Sequence, residues 1–374
     1  MSGLRNVREI DVVVSGHLCM DMFPDMDSVP RAALALAGTL LETGPLALST
    51  GGAVSNVGRA LHRLGLDVRL VAAVGDDLIG RATAQLLGTQ DPALTRHIRF
   101  RSGAPSSYTI ALSPQRTDRT FLHYPGANGT FGVADIEFKL LHEARFFYLG
   151  YPSILPKLME NDGAELETIF AAAYATGAVT ALDMSLPDPA GLGGRVDWHR
   201  LIARTLPFVD VFVPSIEEIL FMLRRADYDA WRGAVIPHLT RAYLRSLADE
   251  LLALGAAVVG FKLGEYGMTL YTANDAARFA RFATLDSVRW TGQEVYHPAF
   301  AVTVAGTTGA GDCAYAGLLA ALRHGLSPAG AVEFACAVGA CNVEAPDASS
   351  GVRAWEATRA RIAAGWPLRA ERLT

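Results

Sequence analysis

The sequence of 374 residues has no Cys-x-x-Cys pair, no long apolar run, no basic excess and no Gly-x4-Gly-Lys-Ser/Thr loop. Each absence closes off a class of protein. The four cysteines, Cys19, Cys313, Cys336 and Cys341, read as reduced core thiols and not as a disulfide framework or a zinc site. The longest apolar run, Leu251 to Phe261, is too short to span a bilayer, so no membrane partner is expected. Arg5, Arg8, Glu9 and Asp11 break up any apolar core of a signal peptide, and a cytoplasmic location is the expectation. A net charge of -5, from 33 basic and 38 acidic residues, argues against a nucleic-acid partner read through a basic face. The missing Gly-Lys loop leaves a P-loop kinase unsupported. No internal repeat and no low-complexity tract is visible.

What is present is apolar and α/β in rhythm. Hydrophobic residues make up 51% of the chain, enough for a sizeable core. The length suits one large domain over residues 1–374, or a core plus a small extra layer. The informative stretch is Ala299 to Gly325, AFAVTVAGTTGAGDCAYAGLLAALRHG. Phe300 to Val304 has the composition of a buried strand. Gly306 to Gly311 can turn sharply, and Cys313 to Leu322 predicts a helix that stops at Gly325. A Gly-rich turn into a helix start is a ready anion site, because the first N–H groups are unspent and the dipole favours negative charge. One carboxylate, Asp312, stands in the first turn. An anion cradle beside a lone acid points to phosphoryl transfer, with Asp312 facing the nucleophile. The local alternative is a tight turn with a capping acid. Gly309-x-Gly311-x-x-Ala314 also fits a relaxed dinucleotide fingerprint, which needs an acid about 20 residues on, at the end of the next strand. Glu333 is the candidate there, and it falls inside a predicted helix.

In chain order, Ile10 to Ser15 predicts a first buried strand, with Asp21 just beyond it. Asp21 is either a solvated loop acid or a ligand for hydroxyl groups. Residues 31–50 read as irregular or edge strand. Gly51 and Gly52 allow close backbone approach to a ligand. Ser55 or Asn56 opens a helix closed by Gly65, Val68 to Val74 is a strand, and Asp76-Asp77 caps the helix that follows. This alternation implies a parallel sheet. Phe100 to Phe121 reads as a hairpin, and with the segment near 18–50 it suggests a small lid sheet. Strands are predicted at Phe146 to Leu149, Val179 to Leu182 ending in Asp183, Phe208 to Val213, Ala256 to Leu263 and the MTLYT run after GEYG. Leu166 to Thr176, the segment opened by Glu217 and Glu218, residues 224–254 in interrupted form, and residues 329–343 read as helices. Residues 345–352 form a loop, followed by a final polar helix. His17, His123 and His297 lack partners at ligand spacing and read as structural, and Trp198 and Trp231 as packing.

Two motifs carry a resemblance. GGAVSNVGRALHRLG followed by VGDDLIG, and GTTGAGDCAYAG, are similar to the paired signatures of the ribokinase-like (PfkB) carbohydrate kinase family. The likeness runs from Gly16 to Gly351. It implies a Rossmann-like three-layer α/β core with a mostly parallel sheet and a small β lid. It implies ATP-dependent, Mg2+-dependent phosphorylation of a hydroxyl, primary in kind, on a small sugar or sugar-like polyol. A nucleoside kinase of the same family is the near alternative, and a non-catalytic sugar- or nucleotide-binding regulator is the distant one. By the same resemblance Asp312 is the base, and Gly309, Ala310 and Gly311 form the anion hole. Asp21, Gly51, Gly52 and Asn56 line the sugar pocket, with Arg119 and Asn128 where lid meets substrate. Asp183 matches the acid ending a central strand. Lys262, Gly264, Thr308 and Asn342 fall on the nucleotide side, and Glu218 organises Mg2+. Family members often pair through the lid, so a homodimer is expected. Two positions depart from the family pattern. Gly306 replaces the leading Asp of the second signature, which puts K+ activation in question. Ser215 replaces an Asn and has fewer donors for a metal-bound water. These two departures are the support for the regulator alternative.

Overall fold

The computed structural model describes residues 8–116 and 120–370. Its strands are β1 (Ile10–Gly16), β2 (Cys19–Pro24), β3 (Leu46–Gly51), β4 (Val68–Gly75), β5 (Ile98–Arg101), β6 (Tyr108–Leu112), β7 (Thr120–Tyr124), β8 (Ala144–Gly150), β9 (Val179–Asp183), β10 (Val211–Phe212), β11 (Val258–Lys262), β12 (Met268–Thr272) and β13 (Glu294–His297). Nine of them form one sheet in the order β13-β12-β11-β10-β9-β8-β1-β4-β5. From β5 across to β11 the neighbours are parallel, and β12 and β13 close that edge antiparallel.

Side chains alternate across this sheet because successive residues of a strand face opposite ways. Val12, Val14, Phe146 and Tyr148 pack into one core with the helices Ala53–Arg63, Ala310–Arg323 and Pro328–Val343. Val13, Phe147 and Leu149 pack into the other with Ala164–Ala175 and Arg241–Ala253. With both faces covered, the central strands read as continuous apolar runs, as parallel sheets require. Among the described residues no helix is long and apolar enough to cross a membrane.

The remaining four strands make the lid, in the order β3-β2-β6-β7. It starts at Cys19, directly after β1 ends at Gly16, so it grows from the carboxyl end of the main sheet. The chain continues from β1 to β4 and β5 on one side, then returns through β8 to the other. The order therefore reverses between β1 and β8, and crevices for ligands form at such switch points. Gly16 pairs in register with Gly150, and Gly150 with Asp183, so β1, β8 and β9 end level at that crevice.

Several expectations are corrected. Asp21 lies within β2, paired with Ser49 and Thr109, and not in a loop. The first helix starts at Ala53, ahead of Ser55 and Asn56, because Gly52 with φ 86° makes the turn out of β3. The Ser55 hydroxyl is then spent on Thr50 Oγ1 at 2.6 Å and caps nothing. Phe100 belongs to the edge strand β5, and the hairpin begins later, at Tyr108. The strand expected over Phe208 to Val213 shrinks to Val211–Phe212, flanked by Pro207 and Pro214, which lack ladder donors. Phe300 to Val304 is not a strand at all. Its backbone meets residues 367–369, with Ala301 N–H on the Pro367 carbonyl (2.8 Å) and Arg369 N–H on that of Ala299 (2.9 Å). Val304 is 51% exposed, so this run is apolar for a reason other than burial in a sheet.

Candidate active site

Gly309, with φ 71°, is the N-cap of the helix Ala310–Arg323, and Asp312 is its third residue. A left-handed residue there suits glycine, and a Cβ would strike the Ala348 carbonyl at 2.4 Å. The helix brings Asp312 to the crevice but buries it, at 4% exposure. Two donors hold its carboxylate. The Tyr151 hydroxyl donates to Oδ1 at 2.6 Å and the Asn56 amide to Oδ2 at 2.9 Å. A carboxylate has about four lone-pair sites, so it keeps acceptor capacity for a further hydroxyl. Burial raises the Asp312 pKa above the usual carboxylate range, while Lys262, Tyr151 and Asn56 pull it back.

One side of Asp312 opens on a cavity of about 630 Å³. Gly309, Ala310 and Gly311 line it with the start of their helix, where N–H groups lack intrahelical partners, but the Ala310 N–H is taken by the Thr307 carbonyl at 3.3 Å and is not the free donor expected. Lys262 and Gly264 form another part of the wall, at the end of β11. The Lys262 ammonium donates to both Asp183 oxygens, at 2.7 and 2.8 Å, and Asp183 is fully buried. Burial works against this ammonium, but Asp183, Glu218 and Asp312 outweigh it and raise its pKa. The cation stays in place beside Gly311, whose Cβ would lie 3.6 Å from Lys262 Nζ. Removing either partner of such a pair leaves a buried unpaired charge, at a cost of about 3–5 kcal/mol.

Ser215 and Glu218 also line the cavity. They form a capping box on the helix Ile216–Leu223: Ser215 N–H donates to Glu218 Oε2 at 2.8 Å and Glu218 N–H to the Ser215 hydroxyl at 3.4 Å. One Glu218 oxygen is thus taken by its own helix. Burial raises the Glu218 pKa, opposed by Lys262. Among the described residues no three His, Cys, Asp or Glu side chains gather to cage a metal. Part of the wall is apolar, made by Phe300, Val302, Val304, Ala340 and Val343. That role accounts for the apolar run at 300–304. Thr308 and Asn342 do not line the cavity. Asn342, fully buried, donates from Nδ2 to the Thr308 carbonyl at 3.0 Å and so braces the Gly-rich turn from behind.

The lid-side residues gather on the other flank of Asp312. A Cβ on Gly51 would sit 2.0 Å from Asp21 Oδ2, and one on Gly52 2.5 Å from His17 Nδ1. The paired glycines are therefore required by the side chains that lean over them. Asp21 accepts from the Cys19 thiol at 3.2 Å. Burial pushes its pKa up to about 6, offset in part by Cys19 and Thr109 and increased by Asp312. Asn128 is fully buried and donates to the Leu18 carbonyl at 2.8 Å, at the joint between core and lid. Arg119 lies outside the described residues.

Tyr151 went unseen in the sequence. It holds a left-handed backbone, φ 65°, one residue past the end of β8, and only its proximity to Asp312 shows its place. The pairing of Asp183 with Lys262 was also unseen, because the two are 79 positions apart.

The family model described as "pfkB family carbohydrate kinase" matches residues 9–355. A fructokinase-2 of Zea mays is 26% identical over 310 residues, covering 82% of this chain and 78% of its own. A probable chloroplastic fructokinase-6 of Arabidopsis thaliana is 25% identical over 321 residues, covering 84% and 71%. Among solved structures, the A. thaliana ribokinase complexed with ribose and ATP superposes with a TM-score of 0.71 at 17% identity, covering 94% of this chain and 98% of that one. A fructokinase of Xylella fastidiosa with bound ATP gives 0.70 at 21%, covering 94% and 98%. A putative ribokinase II of E. coli with ATP and Mg2+ gives 0.70 at 18%, covering 95% and 99%.

Proposed function

The chain belongs to the pfkB family of carbohydrate kinases, and from this premise we propose that it transfers the γ-phosphoryl group of ATP to a primary hydroxyl of a small sugar or sugar-like polyol. The observation that carries the reading is the position of Asp312. It stands between a cavity walled by a helix start and an ammonium, and a lid-side group of Asp21, Gly51, Gly52, Asn56 and Asn128.

In this reading the acceptor hydroxyl meets Asp312, which takes its proton. The acceptor oxygen forms a bond to the γ-phosphorus as the bond to the β–γ bridging oxygen breaks, and ADP leaves with that electron pair. The N–H groups of Gly309 and Gly311 would supply donors for the charge on the transferring group, while that of Ala310 donates to the Thr307 carbonyl at 3.3 Å. Tyr151 and Asn56 orient the Asp312 carboxylate, and Asp183 fixes the Lys262 ammonium beside the phosphates. The apolar wall of Phe300, Val302 and Val304 suits an adenine ring. For Mg2+ the donor set fits a metal that arrives mainly on nucleotide phosphates: Glu217, Glu218, Glu265 and Asp312 line the cavity without gathering into a cage, and Glu218 would offer its second oxygen to a metal-bound water. Bound there, Mg2+ would neutralise phosphate charge.

ADP release against pentoses, hexoses and nucleosides tests the reading. The wild type is expected to turn over at least one sugar, and Asp312→Asn to lower kcat by about 10²–10⁴-fold. Equal turnover by the variant would falsify the assignment of Asp312. Turnover of nucleosides alone would favour the nucleoside kinase, and no turnover at all the regulator. A second expectation concerns K+. A Cβ on Gly306 would stand 2.8 Å from the Pro346 carbonyl, so the carboxylate usual in the family has no room here. Steady-state rates in KCl and in an organic-cation chloride of equal ionic strength should be similar, and strong K+ dependence would contradict this.

A further inference from the structure

We propose that His17 is a specificity residue of the acceptor site, and that its imidazole bonds a hydroxyl of the sugar other than the one phosphorylated. This rests on the sugar-kinase reading above. His17 sits in the Gly16-His17-Leu18 joint between the main sheet and the lid. Its backbone is pinned on both sides: its N–H donates to the Gly150 carbonyl (3.3 Å), and its carbonyl accepts from Val54 N–H (3.1 Å). The next carbonyl, Leu18, takes the Asn128 amide. The ring is thus held by fixed main chain.

The side chain is 2% exposed, and neither ring nitrogen has a hydrogen-bond partner. Buried polar atoms in native proteins are nearly always bonded, and an orphan needs a reason. Leu or Phe would fill the same volume without that cost. The neighbourhood gives the reason. Asn56 Oδ1 and Asn128 Oδ1 are also without partners, so four of the nine such atoms among the described residues belong to three residues of this one corner. His17 Nδ1 leans over Gly52 as Asp21 leans over Gly51. The His17 ring lies 5.1 Å from that of His123 on the lid and 6.3 Å from that of Tyr151, whose hydroxyl holds Asp312. Burial, with His123, pushes the His17 pKa down to about 3. The imidazole therefore stays neutral at working pH, with one nitrogen donating and the other accepting. A sugar hydroxyl is both donor and acceptor and suits either nitrogen. A site built to bond a hydroxyl rejects the analogue that lacks it.

The probes are pentoses and hexoses, D-ribose and D-fructose first, each with its monodeoxy analogues at saturating ATP. The wild type is expected to prefer the parent sugar over one deoxy analogue by about 10–100-fold in kcat/KM. In His17→Leu that preference falls towards unity at this position, while discrimination elsewhere and the KM for ATP hold. His17→Gln keeps a donor and an acceptor and should retain part of the preference, and it serves if the Leu variant folds poorly. Undiminished discrimination at every position in these variants overturns the role of His17. Transfer to no sugar by the wild type instead overturns the sugar-kinase reading, and the inference falls with it.

Discussion

Asp21 carries its charge against burial, and this fixes a pH signature. Its folded pKa, about 6, is above its ordinary value. The folded state therefore binds more protons than the unfolded chain between those two values, and stability falls as pH rises through that window. The penalty is absent below about pH 4 and complete above about pH 6. Asp21→Asn should raise the melting temperature at pH 8, with the gain vanishing near pH 4. If the carboxylate accepts sugar hydroxyls, the acceptor KM of the wild type should rise as pH drops below 6. That of Asp21→Asn should be high throughout. Flat KM profiles for both proteins would remove Asp21 from the acceptor site. Gly51, Gly52, Asn56 and Asp312 could be singled out in the sequence because their residue types and spacings belong to the two motifs; Asp21 lies outside both, and its place in the site rested on resemblance alone. Tyr151 could not be singled out. A tyrosine after a strand-ending glycine carries no local signal, and its hydroxyl finds Asp312 across 161 positions.

The segment Ala299–Val304 shows where local pattern misleads. An apolar β-branched run marks surface to be covered, and it does not say by what. Here it lines the cavity on one side and is held on the other by residues 366–369. Trp366 stacks on Phe300 with centroids 4.5 Å apart and donates from Nε1 to the Ala301 carbonyl at 3.0 Å. Arg361 lies over the Trp366 ring at 3.4 Å and pairs with Glu344 at 2.6 and 2.7 Å. Trp366→Leu keeps apolar bulk but loses the stack and the hydrogen bond, together about 1–2 kcal/mol. Initial rates should show the KM for ATP up by about tenfold with the acceptor KM unchanged. A rise in both, or in neither, would mean that this wall does not serve the nucleotide. Helices were easier to read, because Gly325 and the Asp77 cap mark ends chemically, with Asp77 accepting from Gly80 N–H at 2.8 Å.

At the scale of the molecule, the order of strand and helix patterns was enough to give a parallel sheet with a lid, since short right-handed connections leave few arrangements. The lid's register and its neighbours were not legible, because its strands come from two distant segments. Its outer strands carry exposed apolar side chains: Leu46 and Leu48 on β3 at 57% and 46%, Phe121 and Leu122 on β7 at 56% and 51%. Bare apolar edges are a liability unless covered. A second copy of the chain is the expected cover, so light scattering should give twice the chain mass. Leu48→Lys with Phe121→Lys should give the monomer, and a monomeric wild type would refute pairing through the lid.

The contact between Trp366 and Phe300 also makes the protein its own optical gauge. An indole held between a phenyl ring and a guanidinium emits according to how tightly that sandwich is closed, and Phe300 is part of the cavity wall. Filling the cavity should therefore change the emission of Trp366, one tryptophan of five. The difference between the wild type and Trp366→Phe would isolate that signal, and nucleotide occupancy could then be followed in real time without a label, a coupled enzyme or a sugar.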